Sequence, residues 1–356
     1  MLSGSGAARH YGYSSARVKA MESRLVSNKT MHEIMNAKDA GTIISILFQG
    51  DYKKDLEEFG GLSIKGELID FALSKNLAKN VSKLVQISPT TERVLIRAIA
   101  GKWNLYNVKI AIEAKERKSS YDSIARYIID YGRYDAAAIK EAMREDTIEG
   151  MLNKFMINSP YKDILKDGLE AYKKSKSSPD AVAAIDKSYY KLLGDVIIGL
   201  RVVDNSAARI VKMDVDMKNL IYLIKAKRAG IKFSDISGNL ISSGNISISE
   251  LEQMYGSSKD IESMVAQAKL YDLKGAVDIY KESKGRQLLP FEIGIRNSIF
   301  KNSVSILNHS ILSFGAILAY AYMKEIEIFT LRVIINSKIY GLSKEEANRL
   351  IVWKTE

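Results

Sequence analysis

Three stretches of this 356-residue chain align with one another without a gap. A chain assembled from copies of one segment folds by packing copies of one local structure, so this feature constrains the fold more than any other. The copies are Asn104-Leu-Tyr-Asn107-Val-Lys-Ile-Ala-Ile-Glu-Ala-Lys115, Asp216-Met-Lys-Asn219-Leu-Ile-Tyr-Leu-Ile-Lys-Ala-Lys227 and Glu327-Ile-Phe-Thr330-Leu-Arg-Val-Ile-Ile-Asn-Ser-Lys338, offset by 112 and 111 residues. Within each, apolar residues recur at i, i+3 and i+4 (Val108, Ala111, Ile112; Leu220, Leu223, Ile224; Leu331, Ile334, Ile335), which is one face of an α-helix. Each copy ends in a Lys, a cation placed where the dipole of a helix C-terminus favours it. The polar pairs Asn104 and Asn107, Asp216 and Asn219, Glu327 and Thr330 are three apart and so share a face. A second marker keeps the period: Tyr52, Tyr161 and Tyr271 are 109 and 110 residues apart, each ahead of an apolar-periodic stretch. A period near 111 exceeds the roughly 20–50 residues of a solenoid repeat. It predicts three similar helical lobes in a pseudo-threefold arrangement, over 1–118, 119–230 and 231–356.

Only 4 of the 356 residues are Pro, so long stretches can run as helix without a breaker. Hydroxyl and carboxylate residues three apart predict helix starts at Thr30/Glu33, Ser249/Glu252 and Ser343/Glu346. Gly341 is placed to end one helix in the left-handed conformation and let the next begin. The β-branched runs Thr42–Leu47 and Val196–Val203 have local strand character, yet no Asn-Gly or Asp-Gly turn joins two alternating runs. The chain reads as all-α. Lys173–Pro179 is the best exposed loop on composition, inside the second lobe.

With no Cys, thiolate metal sites, Cys nucleophiles and disulfides are excluded, and a reducing, cytosolic setting fits best. Met1–Arg9 has no apolar core of a signal peptide. The uncharged stretch Asn302–Met323 is long enough to cross a bilayer, which takes about 20 residues. It contains Asn302, Ser303, Ser305, Asn308, His309, Ser310 and Ser313, which lipid would leave without partners, and it reads instead as a buried helix. His309 is then expected as a hydrogen-bonded core or interface residue.

Motifs for chemistry are missing. The Gly101-Lys102 pair is followed by Trp103 and lacks the upstream glycine of a phosphate-binding loop. Gly4-Ser-Gly6 follows no strand and reads as a flexible terminus. His32-Glu33 begins like a zinc-protease helix, but Asn36 stands where the second ligand would be. No Gly-x-Ser-x-Gly elbow occurs. No catalytic residue, metal ligand or cofactor is expected.

The residues carrying the repeat also carry a resemblance. Tyr11-Gly-Tyr13-Ser-Ser-Ala16-Arg17-Val-Lys-Ala-Met21-Glu-Ser-Arg24-Leu25 resembles the opening Tyr-x-Tyr-x-x-Ala-Arg-Val-Arg-Ala-Met-x-Ser-Arg-Leu of the C subunits of archaeal A-type (V/A-type) ATP synthases, the counterparts of the V-ATPase d protein. Asp216–Lys227 is similar to that family's Asp-x-x-Asn-Leu-x-x-x-x-Arg-x-Lys segment. Lys324-Glu-Ile-Glu327-Ile-Phe-Thr-Leu331-Arg332, followed by Lys338-Ile-Tyr-Gly341-Leu, resembles its C-terminal signature, with Thr330 in place of Asn and Ser337 in place of Gly. The resemblance covers nearly the whole chain. It implies a non-catalytic, funnel-like protein of three helical subdomains on the cytoplasmic face of the membrane. Its implied partners are the D and F stalk subunits and the rotor ring of proteolipid c/K subunits. It would be a peripheral protein, associated with the membrane through the complex only and monomeric in isolation, passing torque between ion flow and ATP chemistry.

Two sets of residues are candidates for that role. Asn104, Asn107, Asp216, Asn219, Glu327, Thr330 and Arg332 either form buried polar links that fix helices or face the funnel and meet the stalk. The structural reading is favoured, because each copy repeats the pair whereas a stalk would break the symmetry. Arg117, Lys118, Lys225, Lys227 and Arg228 cluster at the ends of the first two repeated helices. They are either solvated helix ends or a basic docking rim for acidic stalk surfaces or anionic headgroups. The net charge of +11 falls as +7, +3 and +1 over the three lobes. The alternative function, a basic all-helical nucleic-acid-binding or scaffold protein, is disfavoured by that modest excess and by the absence of a recognition motif.

Overall fold

With few prolines and many capped starts the chain folds into helices, and the computed structural model, which describes residues 4–58 and 66–352, contains no strand among them. The first are α1 (Gly4–Glu22), α2 (Asn28–Asn36), α3 (Ala40–Leu47), α4 (Lys53–Glu58), α5 (Gly66–Ile87) and α6 (Arg93–Glu116). There follow α7 (Tyr121–Ile124), α8 (Ala136–Ala142), α9 (Ile148–Met156), α10 (Lys162–Ser175), α11 (Ser178–Val203) and α12 (Asn205–Arg228). The last are α13 (Phe233–Ile236), α14 (Ile248–Ser257), α15 (Ile261–Val265), α16 (Lys274–Glu282), α17 (Leu289–His309), α18 (Phe314–Ile339) and α19 (Lys344–Arg349). The chain divides into two compact units, one of residues 40–193 and one of residues 1–39 with 194–356.

In the unit of residues 40–193, α6 and the helices after it bury Trp103, Ile112, Met151, Leu152, Leu165, Ile185 and Tyr189. Each large aliphatic side chain removed from water there contributes roughly 1.5–3 kcal/mol. Polar links fix how α11 lies on α6: the Tyr189 hydroxyl donates to the Ile99 carbonyl at 3.0 Å, and Lys109 pairs with Asp186 at 2.5 Å.

In the other unit α12, α17 and α18 pack on one another, with α1 against α18. From Phe314 to Lys324 every residue of α18 is buried, the pattern of a helix with protein on all sides. Asp204 sets two helix starts at once. Its Oδ1 accepts from Ser206 N at 2.9 Å to cap α12, and its Oδ2 accepts from Gly315 N at 2.6 Å in the first turn of α18.

Several local expectations are corrected. The box at Ser343/Glu346 forms as expected, but the other two starts lie earlier in the chain, at Ser27, which accepts from Thr30 N, and at Ser247/Glu250. Hydroxyls are common in both stretches, and only the one in extended conformation just ahead of the buried face can cap. Asn302–Met323 is not one helix: the chain breaks after His309 and restarts behind the Ser313 cap. No helix among the described residues is long and apolar enough to cross a membrane. His309, at the end of α17, is exposed, and its Nδ1–H donates to the Ser305 carbonyl at 2.8 Å. Gly4-Ser-Gly6 is the first turn of α1 rather than a flexible end. The helix α10 takes in part of the expected loop at Lys173–Pro179, stopping at Lys176 in the left-handed conformation.

Candidate functional site

The polar pairs singled out by the repeat lie on α6, α12 and α18, and their main partners are backbone groups of the loops that follow or meet those helices. On α6, Asn107 is fully buried. Its Nδ2 donates to the carbonyls of Ile129 and Tyr134, both at 2.7 Å, while its Oδ1 accepts from Ile129 N at 3.0 Å. One turn earlier, Asn104 Oδ1 accepts from Arg133 N at 2.8 Å and Tyr134 N at 3.1 Å. The loop comes this close because Gly132 has φ +72° and no side chain; a Cβ there would lie 2.5 Å from Asn104 Nδ2. The clasped loop delivers Asp135 to cap α8 and lays Tyr134 against Phe155 and Tyr161. Burial, helped by Tyr131 and Tyr134, pushes the Tyr161 phenol up to about 12.

The same clasp recurs on α12 with a charge in it. Asn219 Nδ2 donates to Ile241 O at 2.8 Å, and its Oδ1 accepts from Ile241 N at 2.9 Å. Both amide clamps reach 22 residues along the chain. Asp216 stands where Asn104 stood. It accepts from Asn245 N at 3.1 Å, Asn245 Nδ2 at 2.9 Å, Ile246 N at 3.1 Å and the Tyr271 hydroxyl at 2.6 Å. Gly244 admits the carboxylate as Gly132 admits the amide, since a Cβ there would overlap Asp216 Oδ1. Burial pushes the Asp216 carboxyl above the usual aspartate value, outweighing the opposite pull of its donors. Burial and then the neighbouring Asp216 charge push the Tyr271 phenol far above its ordinary range.

The third copy, on α18, is built differently. Glu327 is fully buried and its Oε2 accepts from Val26 N at 2.6 Å, a bond between residues 301 apart in the chain. Its Oε1 pairs at 2.7 Å with Lys324, which is 1% exposed. Thr330, in the place of Asn107 and Asn219, is also fully buried, and its Oγ1 has no hydrogen-bond partner. Residue 352, which lies 22 positions further on as Ile129 and Ile241 do in their copies, is a buried Val. Arg332 is half-buried and lies two residues past Thr330, about 200° round the helix, so it does not share the face of the pair.

The three helices end alike. Lys118, Gly230 and Gly341 have φ of +55°, +68° and +68°, and the next residue returns a hydrogen bond to the carbonyl five back: Ser119 to Ala114, Ile231 to Ala226, Leu342 to Ser337. This is the Schellman termination. The Lys closing each of the first two copies is tied to protein: Lys115 Nζ donates to Met143 O at 3.1 Å, and Lys227 Nζ to Tyr255 O and Ser258 O, both at 2.6 Å. Of the five candidate docking residues, Arg117, Lys118, Lys225 and Arg228 are exposed, while Lys227 is half-buried under that tether. At the same corner of the third copy the exposed residues include the apolar Ile339, Tyr340 and Leu342.

A groove along α5 is lined by Lys75, Lys79, Lys83 and Asp130, and Lys75 pairs with Glu58 and Lys79 with Asp55. Among the described residues no group of three His, Asp or Glu could hold a metal ion. The clasps on α6 and α12 hold loop backbone in place through Asn104, Asn107, Asp216 and Asn219.

Of the six pair residues singled out in the sequence, Asn104, Asn107, Asp216, Asn219 and Glu327 bond to loop backbone and Thr330 does not, and sequence reasoning missed Gly132 and Gly244. A signal for them existed, since they are 112 residues apart, the period of the repeat. Nothing local pointed to Val26, because its partner is at the other end of the chain.

This chain is similar to proteins named as the C subunit of A-type ATP synthase in several archaea. It is 25% identical to that of Methanococcoides burtonii, over 99% of this chain and 97% of the relative. It is 25% identical to that of Archaeoglobus fulgidus, over 96% of each. For Thermoplasma acidophilum the identity is 21%, over 94% of this chain and 96% of the relative. The profile of the family described as ATP synthase (C/AC39) subunit matches residues 14–350, from the first helix to the last, so this all-helical chain belongs to that family.

Proposed function

We propose that this protein is a non-catalytic central-stalk component of a membrane rotary A-type ATP synthase. In this reading it joins the membrane rotor ring to the D–F stalk at the cytoplasmic face and carries torque between ion translocation and ATP chemistry. The observation that carries the reading is the end-to-end match with relatives named as the C subunit of A-type ATP synthase. The structure adds physical support. A torque-bearing part must be stiff, and close-packed helices yield little under load. The clasps remove freedom where stiffness is hardest to achieve, at the loops leaving the long helices.

The lobe division over 1–118, 119–230 and 231–356 belongs to the same proposal, supported by the recurrence of helix, polar pair and Schellman corner. So does a basic docking rim. Exposed cations on each unit, Arg117 and Lys118 on one and Lys225 and Arg228 on the other, would steer acidic partner surfaces into contact. Lys227 contributes to its own fold rather than to that rim. The test is a pull-down of tagged protein against the co-expressed D–F subcomplex and the detergent-solubilised ring. Capture of both is expected, and failure to capture either would overturn the assignment. Replacing the four cations with Ala should slow association with D–F more than it speeds dissociation, with the effect shrinking as salt is raised.

A further inference from the structure

Glu327 and Val26 lie at opposite ends of the chain, yet they make the bond that Asn104 makes with Tyr134 and Asp216 with Ile246. In the first two clasps the loop and its helix belong to one continuous span of about thirty residues, so a bond that opens is returned by its own short tether. The third clasp is closed by a separate segment carrying α1 and α2, which leaves its unit at Asp39. That segment has a docking face of its own. Val18, Met31 and Ile34 are essentially fully buried, Ser15 Oγ donates to Ile311 O at 2.7 Å, and Lys344 Nζ donates to Asn36 Oδ1 at 2.6 Å. The third clasp also lacks the amide clamp, because Thr330 leaves its buried hydroxyl without a partner.

From these observations we infer that the segment up to Asp39 is a strap: it undocks from α18 and redocks as one cooperative unit while the clasps on α6 and α12 stay shut. The inference concerns this chain alone and does not depend on the proposed rotor role. It makes the third clasp the point at which the molecule opens.

Three equivalent amides report on it directly: Val26 N, Tyr134 N and Ile246 N. In hydrogen exchange of the full-length protein, Val26 and the amides of α2 should exchange as a group, roughly tenfold or more faster than Tyr134 and Ile246. Glu327→Gln weakens the acceptor and should speed the strap amides further, leaving the other two unchanged. If Glu327→Gln does not fold, Ser15→Ala removes one contact of the strap and should shift the same group by a smaller factor. The inference is overturned if Val26 is as protected as Tyr134 and Ile246, or if these variants accelerate all three amides equally.

Discussion

The clasps on α6 and α12 hold equivalent loops through equivalent backbone groups, but the first does so with the Asn104 amide and the second with the Asp216 carboxylate. Asn104 accepts two backbone N–H groups through one oxygen. Asp216 accepts those two counterparts plus Asn245 Nδ2 and the Tyr271 hydroxyl, through two oxygens. A carboxylate gathers more donors and reaches a further element, the Tyr271 turn, but it brings a charge that burial penalises. The amide holds less and is indifferent to pH. One backbone geometry therefore admits two chemistries with different sensitivities. The clasp on α18 is a third solution, in which a buried Lys neutralises the acid.

That contrast can be broken most severely at α18. Lys324→Met leaves Glu327 buried without its ammonium, and loss of about 3–5 kcal/mol is expected by chemical denaturation. Next comes Asp216→Ala, which strips the acceptor from four groups at once. A loss of roughly 3 kcal/mol is expected, with Asn104→Ala costing less because fewer donors depend on it. Equal losses for the two would erase the distinction drawn above.

The pH dependence sharpens it further. The folded carboxyl of Asp216 is raised above the ordinary Asp value of about 3.9, so in the window between the two the native state holds the proton more tightly than the unfolded chain. Stability from this group is therefore highest at low pH, falls as pH rises through that window, and is level above it. Melting curves across that range should show Asp216→Asn removing the slope, and Asn104 variants leaving it in place.

Two smaller effects should run the other way. Thr330→Val removes a buried hydroxyl that has no partner while keeping the shape of the side chain, and a gain of about 1 kcal/mol is expected. Lys118→Gly relieves a side chain held at φ +55°, where the second and third copies already have glycine. It should raise stability by about 1 kcal/mol, read as a shift in denaturation midpoint.

Much of this was legible in sequence because it is local. The apolar spacing of Val108, Ala111 and Ile112 and its two echoes identified the long helices, and the three-residue step of the polar pairs put them on one face. The missed details also have physical reasons. Whether Ser247 or Ser249 caps a helix depends on which has extended backbone, which neighbouring residues do not dictate. The break inside Asn302–Met323 turns on a Ser cap in a region uniformly poor in charge. His309 ended exposed because that break placed it at a helix end.

By itself, then, the sequence determined that the chain is helical, that one motif is repeated, and that a polar pair recurs on each repeated helix, since all three depend on spacing along the backbone. Only the tertiary structure decided what each pair holds, because a buried polar atom takes whichever backbone group the packing brings within about 3 Å. For Asn107 and Asn219 that group was 22 residues along the chain, and for Glu327 it was Val26, 301 residues away.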